Sequence, residues 1–285
     1  MKNLHQTFNC YISARHSSQF VPPLEMQTPP GSQKLAALAR QLRLHKPPPI
    51  PLDDIDEDGE MRNRQAVAQV DPVVPESRIP NELGEFIGKR AAVLVCIYES
   101  EDGDLRVILT KRSSRLSTHS GEVALPGGKA EEDDKDDGDT ATREAFEEIG
   151  LDPSLVHTVT TLQPFISKHQ LMVIPVIGIL FDRDAFKPTL NPDEVEAIFE
   201  APLEMFLKDE NRRGEEASFM GSTFMLQFFE YETFVIWGLT AAILIQAASL
   251  VYQRSPAFAV QNPKVKFPRH FYRPKQLDSD HSTAI

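Results

Sequence analysis

One stretch constrains the chain more than any other: Leu125-Pro-Gly-Gly-Lys129, an acidic loop, then Arg143-Glu-Ala-Phe-Glu-Glu-Ile-Gly-Leu151. Glu144 and Glu148 are four residues apart, so a helix puts both side chains on one face, and Glu147 adjoins them. Three like charges crowded there destabilise a helix unless cations bind. Carboxylate oxygens suit hard divalent cations, which makes Mg²⁺ or Mn²⁺ the expected cofactor and Glu144, Glu147 and Glu148 its expected ligands. Arg143 stands four before Glu147 and can pair with it, fixing its orientation. Gly127-Gly128 lets backbone approach the helix closely, and Gly150 suits a left-handed C-cap. A solvated charged face would explain Arg-Glu-x-x-Glu-Glu on its own. The glycine loop and the capped end together turn it into a site.

The surrounding pattern is α/β. Ala91 to Tyr98 is an apolar run that predicts a buried strand, Asp102-Gly103 a hairpin, and Leu105 to Thr110 the return strand. A helix is expected over 140–150, strands over 158–166, 171–181 and 195–199, and a turn of helix after Pro202. From Thr233 to Gln253 no residue is charged, which meets the crude length rule for a membrane span. Phe234 to Trp237 nevertheless reads as a strand and Gly238 breaks it, leaving a helix of about a dozen residues from Ala241, roughly 18 Å at ~1.5 Å per residue. That is too short to span. Gln227 to Val235 contains no Gly, Asn or Pro, so the hairpin expected there should be short or distorted.

The ends differ in character. Residues 1–30 begin with a segment free of acid until Glu25 and rich in Ser, Thr and Asn, consistent with an organelle transit peptide or a disordered tail. Within residues 31–89, Leu35, Leu38 and Leu42 share one helical face with Ser32 as N-cap, and an acidic, Pro-bearing linker follows. The ordered domain is expected over 90–255, with a loose tail over 256–285. Two cysteines, Cys10 and Cys96, give neither a disulfide framework nor a metal pair. The net charge of -12 argues against nucleic-acid binding.

The central stretch resembles the Nudix box, Gly-x5-Glu-x7-Arg-Glu-U-x-Glu-Glu-x-Gly-U with U aliphatic. Arg143, Glu144, Ala145, Glu147, Glu148, Gly150 and Leu151 match it. Gly128 to Arg143 is one residue longer than the pattern, so the first Glu of the box corresponds to Glu132, Asp133 or Asp134. Leu109-Thr-Lys-Arg-Ser-Ser-Arg-Leu116 with His119-Ser-Gly-Glu-Val-Ala-Leu-Pro-Gly-Gly128 is similar to the signature of the coenzyme A diphosphatase branch. Ser117 stands where that branch usually has arginine. The arrangement looks closest to plant organellar members.

The resemblance covers about 90–255 and implies a Nudix-type α/β/α sandwich around a mixed β-sheet. It implies hydrolysis of the diphosphate of coenzyme A (CoA) and CoA esters, with Arg143, Glu147 and Glu148 as catalytic residues. Lys111, Arg112, Arg115, His119, Gly127 and Gly128 are the expected substrate contacts. The general base stays open among Glu147, Glu148, Glu122 and Glu194. A Nudix hydrolase of ADP-ribose or NADH is the rival reading, and a non-catalytic Nudix-like regulator a further one, although no helix carboxylate is missing. The implied location is the mitochondrion, with chloroplast or cytosol as alternatives.

Overall fold

A computed structural model describes residues 32–47, 85–86, 89–167, 171–219, 221–261 and 272–273 of the 285-residue chain. Apolar residues alternating along extended segments build one eight-stranded mixed sheet. Its strands are β2 (Arg90–Glu99), β3 (Leu105–Arg112), β4 (Val123–Ala124), β5 (Gly127–Lys129), β6 (Val156–Thr161), β7 (Phe165–Ile166), β8 (Met172–Leu180) and β9 (Val195–Pro202). β2 and β8 pair in parallel, and the other pairs are antiparallel. β8 is buried throughout, as expected of a strand covered on both faces. Pro175 within it falls opposite the break between β6 and β7, where Leu162 N–H donates to its carbonyl instead. That break splits the single strand expected over 158–166.

Helices cover both faces, so the architecture is an α/β/α sandwich. α2 (Asp137–Ile149) sets Ala141, Ala145 and Ile149 against Leu94, Cys96 and Ile108. On the other face, α1 (Gln33–Arg43) and α3 (Gly238–Tyr252) share a core with Val95, Ile97, Val107 and Leu109. Ser32 caps α1 by accepting from Lys34 and Leu35 N–H, and Leu35, Leu38 and Leu42 are buried. Gln41 Nε2 donates to the carbonyls of Leu250 and Val251, which ties α1 to the end of α3.

A second, three-stranded sheet packs on the same side: β10 (Arg212–Phe219), β11 (Ser222–Tyr231) and β12 (Phe234–Trp237). Only its last two strands were expected. Their hairpin is short, turning at Glu232-Thr233 with Glu232 at φ 53°. The uncharged run from Thr233 therefore divides into β12 and α3. α3 starts at Gly238, three residues before the expected Ala241, and within its first turn the Thr240 hydroxyl donates to Val123 O. Among the described residues no helix is long and apolar enough to cross a membrane. β1 (Glu85–Phe86) pairs with β13 (Tyr272–Arg273). Residues 256–261 are held rather than loose: Ala257 N–H donates to Leu207 O, and Met225 N–H to Gln261 O. The expected transit peptide, most of the linker and most of the tail lie outside the described residues.

Candidate active site

The site is assembled where α2 crosses β5 and the end of β3. α2 begins three residues before its expected start, because Asp136 caps it by accepting from Asp139 N–H. Asp137 and Asp139 then lie in its first turn, where the helix dipole favours acids. Arg90, at the start of β2, pairs with Asp137 through both Nε and Nη2, so the helix entry is fixed to the sheet. Gly150 closes the other end at φ 71°, and Thr189 N–H donates to Ile149 O beside it.

Of the three helix carboxylates, Glu148 is the most enclosed, at 4% exposure. Gly127 N–H donates to its Oε2 over 3.2 Å, and Arg112 Nη1 lies 3.9 Å from its Oε1. Burial pushes its pKa up to about 8, with Glu144 and Glu194 adding to the rise against the opposing Gly127 N–H and Arg112. Glu144 is raised in the same direction, again mainly by burial. Its carboxylate lies against Gly128 so closely that a Cβ there would collide with it. Glu147 is half exposed and receives Arg143 Nη1 at 3.2 Å. Arg112 Nε is buried without a hydrogen-bond partner.

Arg143 organises the outer edge. It donates to Lys129 O, approaches Glu144 and Glu147, and forms a two-point pair with Asp134 at 2.9 and 3.0 Å. The same Asp134 carboxylate accepts from Thr140 Oγ1 and Glu131 N–H. Arg143 thereby holds the Asp134 carboxyl well below the usual carboxylate range. Among Glu132, Asp133 and Asp134, it is Asp134 that the structure puts on Arg143. The sequence could not single it out, because its distance from Arg143 depends on how the lengthened loop folds.

The expected substrate contacts do not converge on one face. Arg112 points to the helix, whereas Lys111, adjacent on β3, pairs with Glu196 at 2.6 Å; neighbouring strand residues face opposite ways. Arg115 reaches Asp193 at 3.0 Å on the surface. His119, at φ 55°, places Nδ1 2.9 Å from Glu122 Oε2. Glu194 is brought beside the helix by a loop whose Asn191 N–H donates to Glu148 O.

A model of the NUDIX domain matches residues 88–220. Nudix hydrolase 22, chloroplastic, of Arabidopsis thaliana is 59% identical over 246 residues, which are 83% of this chain and 79% of that protein. The chain belongs to the Nudix hydrolases. Nudix hydrolase 15, mitochondrial, of the same plant is 64% identical over 212 residues, 72% of this chain and 73% of that one. The peroxisomal coenzyme A diphosphatase of Mus musculus is 35% identical over 191 residues, 65% and 80% of the two chains.

Nudix hydrolases generally use divalent metal cations. Among the described residues no three His, Cys, Asp or Glu side chains converge tightly enough to enclose an ion. Their chemistry nonetheless fits this Nudix helix. Glu144 and Glu148 lie one turn apart on the same helix face, and Mg²⁺ needs only one or two carboxylates, keeping waters in its other positions.

Proposed function

We propose that this Nudix hydrolase cleaves the diphosphate of CoA and its esters, giving 4′-phosphopantetheine and adenosine 3′,5′-bisphosphate. The observation that carries the reading is Arg112. It belongs to the segment that resembles the CoA branch, and it faces Glu148 at the buried end of the carboxylate helix. The two signatures therefore meet in one place. The coenzyme A diphosphatase named among the relatives supports the same substrate.

Glu144, Glu147 and Glu148 would hold Mg²⁺ or Mn²⁺, which when bound sets positive charge against the diphosphate oxygens and acidifies the attacking water. The chain's own residues do the rest. Gly127 and Gly128 bring backbone to the helix face, and Arg143 orients Glu147 while anchored on Asp134. Arg112 supplies the cation that faces the buried end of the helix, while Lys111, Arg115 and His119, held on other faces by Glu196, Asp193 and Glu122, are candidates to meet more distant parts of the substrate. Water attacks phosphorus, the bond to the bridging oxygen breaks, and a carboxylate takes the water's proton. Glu147, Glu148, Glu122 and Glu194 are the candidates for that base.

Comparing kcat/KM for CoA, ADP-ribose and NADH, with product masses, tests the substrate. CoA should lead, the products should be the two phosphomonoesters, and excess EDTA should abolish turnover. ADP-ribose or NADH leading, or full activity in EDTA after metal-free dialysis, would overturn the reading.

The relatives named for the chloroplast and mitochondrion support an organellar location, and the mitochondrion is the one proposed. Residues 1–40 fused to a fluorescent reporter should carry it there in plant cells. Cytosolic signal from that fusion, matching one that starts at Met26, would remove the targeting role.

A further inference from the structure

The β10–β11–β12 sheet has an inner and an outer face. Its inner face is buried through Gln227, Phe229 and Ile236. On the outer face, Arg213, Phe228 and Trp237 are direct cross-strand partners and form one row. The Arg213 guanidinium lies 4.0 Å from the Phe228 ring centre. Phe228 and Trp237 stack nearly parallel, 6° apart in plane and 5.6 Å between centres. Phe228 is thus covered by a cation on one side and a ring on the other, while Trp237 ends the row, only partly buried.

The position of that end matters. Thr240, three residues on, donates its hydroxyl to Val123 O over 3.1 Å and so fixes the β12–α3 junction to β4. β4 is only Val123–Ala124. His119 lies shortly before it, and Gly127 and Gly128 shortly after it, all three expected substrate contacts.

Resting on the proposed CoA diphosphatase reading, we infer that Trp237 stacks on the adenine ring of the substrate and selects its nucleotide half. The chemistry favours that half. A planar base has a π face to set against Trp237, and base–aromatic stacking needs nothing more than that face. The phosphopantetheine arm has no ring. Phe228 and Arg213 act behind Trp237 as positioning residues that keep its indole upright.

Trp237 is the chain's one tryptophan, so its fluorescence reports this contact without turnover. Adenosine 3′,5′-bisphosphate, added to the full chain with Mg²⁺, should change the emission saturably. 4′-Phosphopantetheine should not. Trp237→Leu should raise KM for CoA about tenfold and move KM more than kcat, whereas Trp237→Phe, which keeps a ring, should raise it less than threefold. Matching thermal melts of the two variants would exclude a folding defect. Unmoved fluorescence with CoA still hydrolysed would overturn this inference alone, as would a response to the pantetheine half in place of the nucleotide. Failure to hydrolyse CoA at all would overturn the functional reading and this inference with it.

Discussion

Glu148 is a carboxylate in a place that resists charge. Desolvation outweighs the Gly127 N–H and the long contact to Arg112, which is why its pKa rises from the ordinary 4.5 to about 8. The folded chain then holds this proton more tightly than the unfolded chain does. Between those two values stability must fall as pH rises, and the stabilisation is lost once pH passes the folded pKa. At ~1.4 kcal/mol per unit the loss is a few kcal/mol at most. Metal-free protein should therefore melt at lower temperature at pH 8.5 than at pH 5, Glu148→Gln should flatten that slope, and Mg²⁺ at pH 8.5 should recover part of the loss by binding the ionised form. The same substitution should cost about 10³-fold in kcat, roughly 4 kcal/mol of barrier. Equal slopes for the two proteins would remove Glu148 as the group responsible, and activity within threefold of wild type would remove it from the chemistry.

At the level of elements, the entry to α2 is where loop and helix are joined by one side chain. Asp134 accepts from Arg143, Thr140 and Glu131 N–H at once, whereas no such contact ties Glu132 or Asp133 to the helix. Hydrogen bonds to charged groups contribute about 1.5–3 kcal/mol each, and breaking a shared set costs less than their sum. Asp134→Ala should thus lower urea-unfolding stability by about 2 kcal/mol at pH 7 and reduce activity by loosening Arg143. Glu132→Ala and Asp133→Ala should stay within ~0.5 kcal/mol of wild type. Because Arg143 keeps the Asp134 pKa depressed, its contribution is present above the ordinary carboxylate value near 3.8 and disappears as pH falls below it. This loop also shows what the sequence could and could not convey. Helix spacing made the carboxylate face of α2 legible, and Leu35, Leu38 and Leu42 made α1 legible, since both follow from local periodicity. The acidic stretch before Arg143 read only as a loop, yet Asp136 caps α2 and Asp137 binds Arg90; the cap was hidden among several neighbouring acids that could equally start a helix, and Arg90 is a partner the linear sequence does not display. β10 was missed because Arg212-Arg-Gly-Glu-Glu has strand pairing on one side only and almost no apolar alternation. Lys111 was grouped with Arg112 by proximity in sequence, which strand alternation undoes.

Taken whole, the molecule carries a net charge of -12, and the substrate proposed for it is a polyanion. Local cations would have to reverse that field, yet Lys111 faces Glu196, Arg115 faces Asp193 and His119 faces Glu122, which leaves Arg112, beside a Glu148 whose pKa is pushed up to about 8, as the main uncompensated cation of the four. The exposed pairs among them contribute little stability, about 0–1 kcal/mol each, but they leave little uncompensated positive charge near the helix. Glu144, Glu147 and Glu194 add further negative charge in the same neighbourhood. Electrostatics therefore makes substrate binding conditional on divalent metal, and reciprocity requires substrate to tighten metal binding by the same factor. Calorimetric titration of CoA into the metal-free chain should show no saturable heat at micromolar protein. The non-cleavable probe pair, adenosine 3′,5′-bisphosphate with 4′-phosphopantetheine, should bind once Mg²⁺ is present, and raising salt should weaken that binding as screening shortens the reach of the remaining charges. CoA binding of equal strength in EDTA and in Mg²⁺ would mean that these cations suffice, and the dependence on metal would then have to lie in the chemical step alone.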